Sequence, residues 1–238
     1  MGSLMMKIGI FSIPDITLGK HNVKDSRLDE VDKITKAKKK TYIQVELVGE
    51  DAVLEADAVL VLGDARTDLI LKDLEFVETR LSRTEDEKEK TLLNKLKLIL
   101  EKEEFIFNAG LNPEEKQAIA GFGLLTNKPI VAAERQELDS LDNLLSRALK
   151  ESGFISFFTT GDKETRAWLI RQGATAWEAS GVIHSDIQKG FIRAEIISFT
   201  DFIQAGGESQ AKQQGKMRLE QKDYVMQDAD LVNFRFNK

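Results

Sequence analysis

The chain has 238 residues, with 34 lysines and arginines against 40 aspartates and glutamates, a formal charge of −6. At roughly 100–200 residues per domain this is one large domain or two small ones, and 42% hydrophobic with 31% charged residues is too apolar for disorder and too interrupted for a membrane span. There is no cysteine, and no apolar run behind positive charge opens the chain, so the expectation is a cytoplasmic protein with neither disulfides nor a leader.

Met1 to Met6 reads as a cloning remnant and is set outside the fold. Lys7 to Ile13 is a short apolar run stopped by Pro14-Asp15, the pattern of a buried parallel strand. Leu28, Val31 and Ile34 recur at helical spacing, Thr41 to Val48 is rich in β-branched residues, and Ala58 to Leu62 ends at Gly63-Asp64. Ile70, Leu74, Val77 and Leu81, then Leu92, Leu96 and Ile99 after a polar break, predict a helical hairpin. Thr84 and Glu87 read as the capping box of its second arm. The leucine stripes suit helix pairing or a protein partner, pairing being the commoner use. A third helix opens at Asn112-Pro113 and stops at Gly121. Ile130 to Ala133 gives a fourth strand, and 138–149 another helix. Strands alternating with helices indicate a mostly parallel α/β layer.

From about Gly153 the texture changes to strands at Phe154–Thr159, Trp168–Arg171, Phe191–Ser198, Tyr224–Met226 and Leu231–Phe236, with helical stretches at 174–181 and 201–215. Acidic and basic residues balance there, so the acidic surplus lies in the first part.

Several blocks in this stretch carry a family resemblance: Thr165-Arg166-Ala167-Trp168, Gly173 to Ala176, His184 to Glu195, Gly215 to Glu220, Lys222-Asp223-Tyr224 and Phe234 to Asn237. In that order they resemble the TGS domain of the YchF family, Obg-related P-loop ATPases that associate with ribosomes. Gln221 and Ala229 stand where that family usually has glycine. Lys24 to Asp29, Leu71 to Leu81 and Leu124 to Pro129 resemble further blocks of it. The resemblance implies an α/β fold in three pieces. These are a truncated, mostly parallel layer like a degenerate P-loop G domain (1–66 and 105–152), an inserted helical hairpin or coiled coil (67–104), and a C-terminal ubiquitin-like β-grasp TGS domain (153–238).

A P-loop needs G-x-x-x-x-G-K-[ST] to wrap backbone N–H groups around phosphates, with the hydroxyl on Mg²⁺. The nearest match, Pro14 to His21, puts a proline without an N–H at the first glycine and a histidine at the hydroxyl position. Gly19 and Lys20 are the remnant nucleotide-binding candidates. Gly49-Glu50 stands where a D-x-x-G switch belongs, and Glu134 to Glu137 where a base-reading asparagine belongs. The expectation is therefore a non-catalytic protein that has lost nucleotide hydrolysis, without cofactor or resident metal. It meets RNA or the ribosome through the C-terminal domain, with the hairpin as a second, protein-facing contact and no role for membrane or DNA. The alternatives are residual ATP or GTP binding with Mg²⁺, as a sensor or NTPase, and a protein–protein adaptor. Lys163, Arg166, Lys189, Arg193, Lys212, Lys216 and Arg218 are the RNA-binding candidates. The lysines at 33, 36 and 38–40 suit a helix C-terminus. His184 with Asp186 reads as a local hydrogen bond rather than an acid–base pair, and Trp168 and Trp177 as core or half-buried rather than base-stacking.

Overall fold

The computed structural model describes residues 5–237. In chain order its elements are β1 (Met6–Phe11), β2 (Gly19–Val23), α1 (Ser26–Thr35), β3 (Lys40–Thr41), β4 (Ile43–Val48), β5 (Ala58–Leu62), α2 (Arg66–Leu81), α3 (Glu87–Glu101), α4 (Pro113–Ile119), β6 (Ile130–Ala133) and α5 (Leu141–Glu151). They continue as β7 (Phe154–Thr159), β8 (Thr165–Arg171), α6 (Ala176–Ile183), α7 (Ser185–Lys189), β9 (Phe191–Ile197), α8 (Phe199–Ala205), α9 (Glu208–Gln213), β10 (Arg218–Glu220) and β11 (Asp230–Phe236). The chain forms two compact units. One, called here the hairpin-bearing unit, holds Met6–Lys20 and Glu46–Leu144, and the C-terminal unit holds His21–Val45 with everything from Leu145.

A five-stranded sheet runs in the order β2-β4-β1-β5-β6. β1 with β5, and β5 with β6, are parallel, and all five residues of β5 are buried, which is why its sequence is continuously apolar rather than alternating. Met6 is 1% exposed inside β1, so it belongs to the core and not to a remnant; Met1 to Leu4 lie outside the described residues. A Cβ on Gly9 would meet Val53 Cγ2 at 2.5 Å, so glycine is what lets the 3-10 turn at 50–55 lie directly on β1.

α2 and α3 form the expected hairpin. Val77, Leu93, Leu96 and Leu100 are each 1% exposed or less, in a cluster with Ile70, Phe105, Ile106 and Ile119. The stripes are thus consumed inside the unit and are not a free partner surface. The cap of α3 is not Thr84: Asp86 accepts from Lys88 N at 2.8 Å, while the Thr84 hydroxyl donates to Glu89. α4 begins as expected, with Asn112 and Glu115 in a reciprocal capping box and Pro113 in the first turn.

In the C-terminal unit a six-stranded mixed sheet runs β10-β9-β11-β7-β8-β3. One face packs Phe157, Trp168, Ile170, Ile196, Val232 and Phe234 against Ala176 and Ala179 of α6. α1 packs on β8 through buried Leu28 and Val31, and β3 adds a parallel edge strand beside β8. Residues 21–45, read from sequence as part of the α/β layer, therefore cluster with the C-terminal unit. The β-branched run from Thr41 is two strands, because the chain leaves one sheet at Thr41 and joins the other at Ile43. Tyr224–Met226 makes only a bridge from Val225 to Thr175, and the stretch 201–215 is two helices parted by Gly206 and Gly207, with φ of 82° and 132°. Among the described residues no helix is long and apolar enough to cross a membrane.

Candidate functional site

In the hairpin-bearing unit β1 is central, with β4 on one side and β5 on the other. Open α/β sheets take their ligands beyond the carboxyl ends of strands at such a point. Ser12, the first residue past β1, adopts φ 52°, and its N–H donates to Glu50 Oε1 at 3.0 Å. Glu50 Oε2 lies 3.6 Å from Lys72 Nζ, and that ammonium sits 4.4 Å from the centroid of the Phe11 ring. The end of β1 thus already holds one anionic group between a backbone donor and a cation. Past β5, Asp64 is paired with Arg135 at 2.8 Å, which holds the carboxyl below its ordinary value.

Gly19, with φ 105°, and Lys20 open β2, an edge strand, and the first helix begins only at Ser26. The segment 14–21 therefore does not run directly into a helix of its own, as a phosphate-binding loop does. Among the described residues no group of three or more histidine, cysteine, aspartate or glutamate side chains could hold a metal ion. Glu50 and Asp64 are each paired with a cation, Lys72 and Arg135.

Two side chains that sequence reasoning missed fix the loops around this region. Asp73 on α2, 4% exposed, accepts from Leu125 N at 3.0 Å, Thr126 N at 2.7 Å and the Thr126 hydroxyl at 2.7 Å. Burial still pushes its carboxyl up from the ordinary value. Lys128 donates to the carbonyls of Leu54 and Ala56 at 2.9 and 2.6 Å, and burial lowers its ammonium. An aspartate among apolar helix residues, and a lysine before a strand, were the available signals.

In the C-terminal unit the seven candidate cations do not share one surface. Arg166 shares its face of β8 with core-facing Trp168 and Ile170, and its guanidinium lies 4.0 Å from the Trp168 ring centroid. Arg193 alternates with core-facing Ala194 and Ile196, which puts it on the other face of the sheet. Arg218 is engaged by Tyr224 at 2.9 Å and by Asp230, and Lys216 by Asp201 at 3.2 Å. Lys163, Lys189, Arg193 and Lys212 are exposed. His184 Nδ1 accepts from Asp186 N at 3.1 Å and caps α7, a structural role. Trp168 is core, whereas Trp177 is 41% exposed and donates its indole N–H to the Gln188 carbonyl.

The residue that organises this unit is Arg27, which lies in the Lys24 to Asp29 block of the resemblance but was given no role there. It pairs with Asp25 at 2.8 Å and Asp228 at 2.7 Å, and donates to the Ser156 hydroxyl at 3.3 Å. Asp25, with Asp228 behind it, keeps the guanidinium above its ordinary value against the cost of burial. Burial pushes Asp228 up, but Arg27 and the Ser156 N–H hold it below its ordinary value.

A parallel-sheet α/β unit carrying a helical hairpin, joined to a mixed-sheet unit, is the fold class that these elements define, and it has known counterparts. The family model YchF-GTPase_C, described as "Protein of unknown function (DUF933)", matches residues 154–237. "Ribosome-binding ATPase YchF" of Haemophilus influenzae is 34% identical over 233 residues, covering 72% of this chain and 64% of the relative. The Escherichia coli O157:H7 protein of the same name is 50% identical over 101 residues, covering 42% of this chain and 28% of that one. A solved structure, "Structure of the Schizosaccharomyces pombe YchF GTPase", superposes with a TM-score of 0.75 at 20% identity, covering 98% of both chains. The chain belongs to the YchF family, and it spans about 64% of the length of the curated relatives it matches at greatest extent. These relatives correct the expectation of lost hydrolysis. They are named ATPases and the matching structure a GTPase, names that speak against the loss of hydrolysis expected from the sequence.

Proposed function

We propose that the chain is a ribosome-associated, nucleotide-dependent protein of the YchF type, working in the cytoplasm. It takes the phosphates of ATP or GTP at the carboxyl end of β1 and contacts the ribosome through its C-terminal unit, a β-grasp of the TGS kind. The observation that supports the nucleotide site is the arrangement at Ser12: a free-standing strand end whose N–H and neighbouring ammonium, Lys72, already hold a carboxylate. A phosphate oxygen offers these donors the same kind of charge-assisted hydrogen bond as Glu50 does. Gly19 and Lys20 are assigned as supporting phosphate contacts from the start of β2.

The test is calorimetric titration with ATP and with GTP, each with Mg²⁺, to millimolar concentration, alongside phosphate release over time. Saturable binding weakened about tenfold or more by Lys72→Ala is the expected result. No saturable heat with either nucleotide would overturn the reading.

A further inference from the structure

The turn at 50–55 carries, on its first residue, the carboxylate that fills the Ser12 donor, and each of its ends is held by a lysine from a different element. At its start, Glu50 Oε1 accepts from the Ser12 N–H and Oε2 lies 3.6 Å from Lys72 Nζ of α2. At its finish, Lys128 donates to the carbonyls of Leu54 and Ala56 at 2.9 and 2.6 Å. The last carbonyls of a helical turn have no partner within it and carry its partial negative charge, so an ammonium suits them. Lys128 is itself fixed from both sides along the chain. Two residues before it, the N–H and hydroxyl of Thr126 are held by Asp73 of α2, and one residue after it the Pro129 carbonyl accepts from the Val59 N–H of β5.

Six residues at about 2 Å each make a short rod of about 12 Å, so what fixes one end helps to aim the other. The cap position at its start, Gly49, has no side chain to bond the first turn, which leaves the aim of Glu50 to contacts elsewhere. We propose that Lys128 is a positioning residue that keeps the Glu50 carboxylate on Ser12, and thereby sets how readily a nucleotide phosphate takes its place. This is regulation of the phosphate site proposed above and rests on that reading. The hydrogen bonds of Lys128 go to the far end of the turn, so it acts through the turn and not on the ligand. Apparent affinity falls with the fraction of molecules whose site is open, and loosening the turn raises that fraction. Taking an ammonium partly out of water is costly, and burial indeed lowers that of Lys128; the return is a turn held in one place.

The test follows amide exchange of Ser12 by NMR in the ligand-free full chain and in Lys128→Met, with Leu60 in buried β5 as the reference amide. Exchange about threefold faster or more at Ser12, with Leu60 unchanged, is expected. Calorimetric titrations with ATP and GTP, each with Mg²⁺, are run on Lys128→Met, Glu50→Gln and the double variant. Each single variant is expected to bind about threefold more tightly or better, and the double variant no more tightly than Glu50→Gln alone, because Lys128 acts only through that carboxylate. Unchanged exchange at Ser12 would mean that Val53, buried against β1 at Gly9, aims the turn by itself, and would overturn the proposal. Equal quickening at Leu60, or gains that add in the double variant, would overturn it as well. If Lys128→Met does not fold, Lys128→Gln, which loses the charge and keeps an N–H donor, is measured in its place. Absence of nucleotide binding in every variant sinks the phosphate-site reading, while the exchange of Ser12 still decides the role of Lys128.

Discussion

At Ala229 the backbone has φ 64°, the left-handed region, at a position where the family resemblance leads one to expect glycine. A left-handed Cβ costs roughly 1–2 kcal/mol, while burying the methyl, 2% exposed here, returns about 0.8 kcal/mol. Ala229→Gly is therefore expected to leave stability unchanged or raise it by up to about 1 kcal/mol, read as a midpoint shift in urea. Gly190 is the opposite case, since a Cβ there would meet the Asn237 carbonyl oxygen at 1.9 Å. The strand end must move to admit it, and Gly190→Ala is expected to cost about 1–3 kcal/mol by the same measurement. Asp73 shows what sequence alone hides. Its spacing placed it on the hairpin helix, but nothing in the chain said that two backbone N–H groups fifty residues away would need its carboxylate. Asp73→Ala strands those buried donors and is expected to destabilise by about 2–4 kcal/mol, with amide exchange quickening first at Leu125 and Thr126.

Elements that bury a periodic apolar face were legible, and those held by distant polar partners were not. β5, the hairpin and β7 were readable because their own residues define the buried side. β2 and β10 are short, polar edge strands, Gly19–Val23 and Arg218–Glu220, whose hydrogen-bonding neighbours lie far along the chain. α1 was recognised as a helix, yet its place was not: Arg27 reaches Asp228 across 201 residues, and Thr35 bonds Thr165 across 130. The proposed nucleotide site was least legible, because it has no glycine-rich motif. A carboxylate held at the end of β1 by Ser12 and Lys72 has no motif. If the site reading is right, Glu50 competes with the ligand. Glu50→Gln removes the competing charge and leaves a weaker acceptor, so ATP or GTP affinity is expected to rise several-fold in calorimetry. A fall would show that Glu50 helps to hold the nucleotide.

For the molecule as a whole, acid is the informative stress, because several carboxylates of the C-terminal unit are held by cations. Asp228 and Asp29 both sit below their ordinary value of 3.8, each pulled down by a cationic partner, Arg27 and Lys40, against burial. A group whose folded value is depressed contributes stability that is fully present above its unfolded value and is lost as pH falls through its folded value. Asp230 works the other way, since burial pushes it up, so the plain acid melt is a mixture of opposing signs. Arg27→Met separates them. At neutral pH it leaves Asp25 and Asp228 without their cation, costing about 1–3 kcal/mol for bonds between charged groups that remain partly in water. As the pH falls through the depressed folded value of Asp228, that carboxylate is protonated and no longer draws on the cation, so the difference is expected to shrink. The gap between the melting curves should therefore be widest near neutrality and close as the pH drops from 4 toward 2. It should appear in exchange protection of Ser26–Thr35 and 154–237, while the core of Val77, Leu93 and Leu96 keeps its own protection. A gap constant over that range would mean that Arg27 stabilises through the packing of its side chain, whose guanidinium lies 5.9 Å from the Phe158 ring centroid, rather than through its ion pairs.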